Sequence, residues 1–130
     1  PLYLVEGEKD ADNMIAKGVM ATTSPGGANA WNPDYANYLK GKSLVIIPDK
    51  DAAGYAYARE IIKSLKGKNE DVHVIILSEG SKDISDWLEA GGDVNDLAVL
   101  EEDSAVLFKA EKIVYKQIDD RITWEKTCEF

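Results

Sequence analysis

Apolar residues along this chain fall in short unbroken runs, and the stretches between them repeat at helical spacing. LYLVEG (2–7) is an apolar run closed by glycine, the kind of strand that a parallel sheet covered on both faces uses. VMATTS (19–24), SLVIIPD (43–49) and DVHVIILS (71–78) read as three further strands. Between the first two lies DADNMIAKG (10–18), a short helix with Gly18 in the stop position. Asn32 followed by Pro33 marks a helix start, Asn as cap and Pro as first helical residue, and that helix ends at Gly41. AAGYAYAREIIKSLKG (52–67) places Ala58, Ile61, Ile62 and Leu65 on one stripe and again stops at glycine. Ser85 can cap a short helix, DWLEA (86–90), which stops at Gly91 and Gly92.

Strands alternating with helices of this length imply right-handed crossovers and an α/β sheet of about four parallel strands flanked by helices. Residues 93–130 break the rhythm. Val106, Ala110, Ile113 and Val114 recur at helical spacing, which predicts a helix over 104–118 and hence a helical C-terminal extension. RITWEKTCEF (121–130) reads either as a final strand or as a frayed end. The expected organisation is a domain over 1–92 and an extension over 93–130 that packs on it or leads out of it.

The length of 130 residues suits one domain, and a 45% hydrophobic content supplies a core. No stretch approaches the ~18–20 apolar residues that span a bilayer, and no signal-peptide pattern is present. Cys128 is the single cysteine, so disulfide frameworks and cysteine metal sites are excluded, and a cytoplasmic location is the expectation. The chain starts at Pro1 and enters a strand at once, which reads as a domain cut from a larger protein. His73 alternates with apolar residues in the fourth strand and is not expected to be catalytic. The net charge is −9, the opposite of what a domain gripping nucleic-acid phosphates through its own Lys and Arg would carry.

The acids are clustered rather than spread. Ligands of an open parallel sheet bind outside the carboxyl ends of its strands. Glu6 falls at that end of the first strand and Asp10 one helical turn or less beyond it. Asp49 and Asp51 follow the third strand, and Asp83 and Asp86 follow the fourth. Six carboxylates on one edge repel and raise one another's pKa values unless something positive sits among them. Oxygen ligands with no nearby His or Cys suit Mg²⁺ or Mn²⁺. An Asp pair after a strand is also, commonly, a turn plus a helix cap, and the DxD alone decides nothing. SPGGANAW (24–31) can present backbone N–H groups to a phosphate or serve as a tight glycine turn.

With these motifs in this order, the sequence resembles the topoisomerase–primase (Toprim) domain. The resemblance runs over roughly residues 2–92, on a Glu ending the first strand in LVEGEKDAD and a DxD after the third in IIPDKDAAG. Primases and primase–helicases of phages, plasmids and other mobile elements read much like VEGEKDAD, ATTSPGGANAW, DKDAAG and KDISDWL in series. The resemblance implies a Rossmann-like Toprim fold and a DNA primase activity, in which nucleotides are joined into short primers on single-stranded DNA with Mg²⁺ or Mn²⁺. It implies Glu6 as a general acid/base or metal-organising group, with Asp49 and Asp51 as the metal-binding pair. Asp10 corresponds to a further primase acid and Asp83 to the first acid of the motif after the fourth strand. Here the chain departs: Ser85 stands where primases commonly carry a second Asp, and Asp86 comes one position later.

Lys9 and Lys50 are candidate contacts to nucleotide phosphates, as is Lys82, or they are solvated balancing charges. Trp31, Tyr55 and Tyr57 can stack on bases or pack on the sheet. The implied partners are nucleoside triphosphates, a single-stranded template and a helicase domain or partner, reached through the parent protein; no membrane is involved. Three other functions share parts of the pattern. They are a Toprim nuclease or topoisomerase, a phosphoacceptor signalling domain with an Asp ending its third strand, and a metal-binding module without chemistry.

Overall fold

The computed structural model describes residues 1–24, 31–65, 67–69, 71–77 and 80–98, and the backbone of three strands beyond them. Four strands, β1 (Leu2–Val5), β2 (Ala21–Thr22), β3 (Leu44–Ile47) and β4 (Val72–Val74), are parallel and stand in the order β2-β1-β3-β4. The β1–β3 register pairs Leu2 with Leu44 and Val5 with Ile47, so the two carboxyl ends are level. The helices are α1 (Glu8–Ala16), α2 (Ala36–Leu39), α3 (Ala52–Leu65) and α4 (Ile84–Glu89). This is the expected α/β arrangement, and the expected stops hold: Gly18 and Gly41 end their helices at φ of 85° and 78°, where a Cβ would be strained.

Both faces of the sheet are covered, which explains why the strands are apolar throughout rather than alternating. On one face Leu4, Leu44, Ile46, Val72 and Val74 meet α3 through Tyr57, Ala58, Ile61, Ile62 and Leu65, and α2 through Ala36 and Leu39. On the other, Tyr3, Val5, Val45 and Ile47 meet Ala11 and Met14 of α1 and Ile84 of α4, with Trp87 and Leu88 alongside. The stripe expected on 52–67 is therefore the core face of α3. Each fully buried Ile or Leu there contributes roughly 1.5–3 kcal/mol of hydrophobic stabilisation. Asn32 caps as expected, its side chain accepting from the Asp34 N–H at 2.9 Å, although the first turn after Pro33 is a 3₁₀ turn (Pro33–Tyr35) that runs into α2.

Two expectations are corrected. Ser85 does not cap α4: Asp83 does, accepting from the Asp86 N–H at 2.8 Å, and Ser85 lies inside the first turn, buried. Asp is as good a cap as Ser, and starting the helix two residues earlier buries Ile84.

The helix expected over 104–118 is not seen among the described residues either. Its described residues are the strands β5 (Val106–Lys109) and β6 (Lys112–Val114), antiparallel neighbours that pair Phe108 with Ile113. A spacing of three and four also fits two short strands folded back on each other. The β-branched and aromatic content of VLFK and KIV then favours the pleated form. β5 pairs antiparallel with β4, and β7 (Thr127–Glu129) pairs antiparallel with β6, so the described residues of the extension add three strands to the sheet. Among the described residues no helix is long and apolar enough to cross a membrane.

Candidate active site

β1 and β3 are neighbours, yet the chain leaves β1 toward β2 on one side and leaves β3 toward β4 on the other. A doubly wound sheet opens a crevice at such a reversal, outside the carboxyl ends of the two strands. Glu6 is the first residue past β1 and Asp49 the second past β3. The Asp49 N–H donates to Glu6 Oε2 at 3.0 Å, tying the two motifs across the crevice. Thr23, just past β2, donates its hydroxyl to the Glu6 carbonyl oxygen at 2.9 Å and fixes the backbone there.

Three carboxylates meet at this edge. One oxygen each from Asp10, Asp49 and Asp83 lies within 4.8 Å of the others, although the three residues come from α1, the β3–α3 loop and the start of α4. The Lys50 N–H donates to the Lys82 carbonyl oxygen at 2.6 Å and joins the latter two loops. Gly54 is what lets α3 approach: a Cβ there would lie 2.2 Å from the Asp49 carbonyl oxygen. Asp10 is buried, 5% exposed, and accepts a 2.5 Å hydrogen bond from the Ser85 hydroxyl, which in turn accepts from Asn13 Nδ2 at 2.9 Å.

The electrostatics follow from this crowding. Burial, then repulsion from Glu6, Asp10, Asp83 and Asp51, pushes the Asp49 carboxyl up to about 7. Burial raises Glu6 as well, helped by Asp51 and Asp10 and opposed by its bonds to Asp49. Asp10 is raised by burial and by Asp83, with the Ser85 hydroxyl and the Lys9 charge pulling the other way. Three acids that resist ionisation together form a site that favours a cation.

The six acids expected on this edge divide into two groups. Asp10, Asp49 and Asp83 form the cluster and Glu6 is bonded to it. Asp51 and Asp86 lie outside the cluster, Asp51 accepting from the Gly54 N–H at 2.6 Å at the start of α3 and Asp86 from the Lys82 N–H at 3.1 Å. Asp51 is still close enough to raise both Glu6 and Asp49. Lys9 is exposed on the first turn of α1 and Lys50 half-buried in the β3–α3 loop. Tyr55 and Tyr57 are buried, and Trp31 stands edge-on to Tyr57 and Tyr35 at 6.3 and 5.5 Å, so the packing alternative describes these aromatics. Of SPGGANAW, residues 25–30 lie outside the described residues. His73 bonds Asp71 at 2.7 Å, at the amino end of β4 and away from the acids.

The residues the sequence did not single out are Gly54, Asn13 and the hydroxyl role of Ser85. Gly54 left a signal, since glycine near the start of a helix carrying no turn is costly unless backbone must come close. The Asn13–Ser85 bond spans 72 residues and leaves none.

A doubly wound parallel sheet with carboxylates gathered at its switch point defines a class of α/β domain built to present acids to a ligand. The chain belongs to the Toprim-like family, whose pattern matches residues 3–88. A comparison with curated proteins finds no match. Among solved structures it is similar to the E. coli primase catalytic core, with a TM-score of 0.62 and 20% identity over 78% of this chain and 33% of that one. It is also similar to a chain of a structure in which bacteriophage T7 lagging-strand DNA polymerase interacts with primase domains of two gp4 subunits bound to an RNA/DNA hybrid and dTTP. That match has a TM-score of 0.61 and 18% identity over 78% of this chain and 53% of that one. A third likeness, to the DnaG catalytic core, has a TM-score of 0.60 and 19% identity over 78% of this chain and 34% of that one. The chain thus has the Toprim fold of primase cores and spans between a third and about half of the length of these neighbours.

Proposed function

We propose that this chain is the Toprim catalytic domain of a DNA primase, joining nucleotides into short primers on single-stranded DNA in a parent protein of the primase–helicase type. The observation that carries the reading is the meeting of Asp10, Asp49 and Asp83 within 4.8 Å beside Glu6, at the switch point of a Toprim-like sheet. The donor set fits Mg²⁺ or Mn²⁺, because it offers carboxylate oxygens and neither nitrogen nor sulfur. Held by Asp10, Asp49 and Asp83, such an ion would polarise the α-phosphate and ease ionisation of the attacking 3′-hydroxyl.

The remaining roles belong to the chain itself. Glu6 holds the Asp49 backbone and, half-buried with a raised pKa, is suited to take up the hydroxyl proton. Asp51 fixes the start of α3 while adding negative potential at the crevice. Lys9, on the first turn of α1 after Glu6, and Lys50, in the loop that carries Asp49, are the cations proposed to meet the triphosphate. Template and helicase contacts belong to the parts of the parent outside this chain, as the partial coverage of its primase neighbours suggests.

The test is primer synthesis by the parent protein on single-stranded DNA in Mg²⁺ or Mn²⁺, compared with its Glu6→Gln variant. Gln keeps an oxygen to accept the Asp49 N–H and removes the charge, so synthesis should fall by ~10²–10⁴-fold with template binding retained. Synthesis by the Gln variant at the wild-type rate would remove Glu6 from the chemistry. Cleavage of DNA without synthesis would favour the nuclease branch of the family.

A further inference from the structure

We propose that Ser85 is a positioning residue, holding the Asp10 carboxylate in place for the divalent cation, and that Asn13 sets the direction of its hydroxyl. The inference rests on the metal reading of the acidic cluster given above. Ser85 is 1% exposed in the first turn of α4, and Asp10 sits across from it on α1. Asn13 follows Asp10 by three residues, so both lie on the side of α1 that packs on α4.

A serine hydroxyl has one proton and two lone pairs. The Asn13 amide, donating through Nδ2 at 2.9 Å, occupies a lone pair and leaves the proton for Asp10 Oδ1 at 2.5 Å. The order is therefore fixed as amide, hydroxyl, carboxylate, and reversing it would leave the amide hydrogen without an acceptor.

A carboxylate fixed from one side in this way cannot turn about its χ2, and its place among the three acids is set before any ion arrives. The same short helix also supplies Asp83, two residues earlier. α4 thus contributes one acid of the cluster directly and aims a second, which lies on another helix.

The test is Mn²⁺ affinity of the 130-residue chain, by calorimetric titration, for wild type, Asp49→Asn, Ser85→Ala, Ser85→Thr and Asn13→Ala, with melting of the chelated proteins read alongside. Ser85→Ala should weaken Mn²⁺ binding ~10–100-fold, the usual cost of losing a partner that orients a metal ligand. Ser85→Thr keeps the hydroxyl and should recover most of that loss, which a merely space-filling role would not predict. Asn13→Ala should show a smaller loss in the same direction. If wild type binds Mn²⁺, Asp49→Asn does not, and Ser85→Ala binds as wild type does, the role of Ser85 is overturned and the metal reading stands. If wild type binds no Mn²⁺, the metal reading falls and takes this inference with it. Should Ser85→Ala fail to fold, Asn13→Ala decides: undiminished affinity overturns the relay, and reduced affinity supports it.

Discussion

Asp49 concentrates the site's electrostatics in one side chain. Its carboxyl titrates near 3.8 in an open chain and at about 7 when folded, raised first by burial and then by its acidic neighbours. A raised carboxyl pKa stabilises the fold below the unfolded value and loses that contribution as pH climbs through the folded one. Glu6 and Asp10 shift in the same direction and add to it. The chelated protein should therefore melt progressively lower between about pH 4 and pH 7.5, and Asp49→Asn should flatten the decline and melt higher than wild type at pH 7.5. Calorimetric melts of both proteins in chelator across that range check it; equal slopes would mean that Asp49 is not the strained acid. Adding Mg²⁺ or Mn²⁺ should raise the wild-type melt, by ~2.7 kcal/mol at a hundredfold excess over Kd. The Asp49→Asn variant should lose most of that gain. A gain of equal size in both would reduce Asp49 to a turn residue. Of the acids, the sequence placed all six on the right edge from strand ends alone, because that edge follows from topology. It could not divide them, since which carboxylate oxygens come within 4.8 Å of one another depends on how α1, the loop after β3 and the start of α4 pack together.

At the scale of elements, α3 is held against the site by an absence. The third residue of the helix is Gly54, and the Asp49 backbone occupies the space of its missing Cβ, with the Asp49 carbonyl oxygen at 2.2 Å and its amide nitrogen at 2.9 Å. In an ordinary helix interior, glycine to alanine stabilises by about 1 kcal/mol. Here the sign should invert, because neither partner is a flexible side-chain end. Gly54→Ala should cost roughly 1–3 kcal/mol as the turn and helix are forced apart. It should also weaken Mn²⁺ binding, since the atoms displaced are those of Asp49. Urea melts and Mn²⁺ titration of the variant check both halves, and a stabilised variant with intact binding would show that the two segments have room to part.

The same scale explains where sequence patterning succeeds and fails. α3 shows a clear stripe because one face of a long helix meets a flat sheet, so Ala58, Ile61, Ile62 and Leu65 are all buried. VLFK and KIV gave a helical spacing by coincidence of two short strands, and only their pairing across residues 110 and 111 tells the two apart. For the cap of α4 the sequence pointed to Ser85, and the structure uses Asp83, an equally good cap by type, with a start that buries Ile84.

At the scale of the whole molecule, charge and fold make opposite demands. The Toprim-like sheet gathers acids at one edge, and the chain as a whole carries −9, from 24 acidic against 15 basic residues. Affinity for single strands comes from cations that displace the counterions of the backbone, with log K falling by about 0.7 per contacted phosphate for each decade of salt. A surface of net negative charge both lacks those contacts and repels the strand at distances up to the Debye length, ~8 Å at physiological ionic strength. On the proposed reading, a cation held by the acids would meet only a few phosphates at one edge of the sheet. The 130-residue chain should therefore bind single-stranded DNA with Kd above the micromolar range at physiological salt. Fluorescence anisotropy with a labelled oligonucleotide, at two salt concentrations with and without Mg²⁺, measures it. Weak binding that Mg²⁺ improves modestly is the expected result, because the gain comes from the acidic edge alone. Submicromolar binding with a steep salt dependence would overturn this expectation and require a basic stripe on this chain.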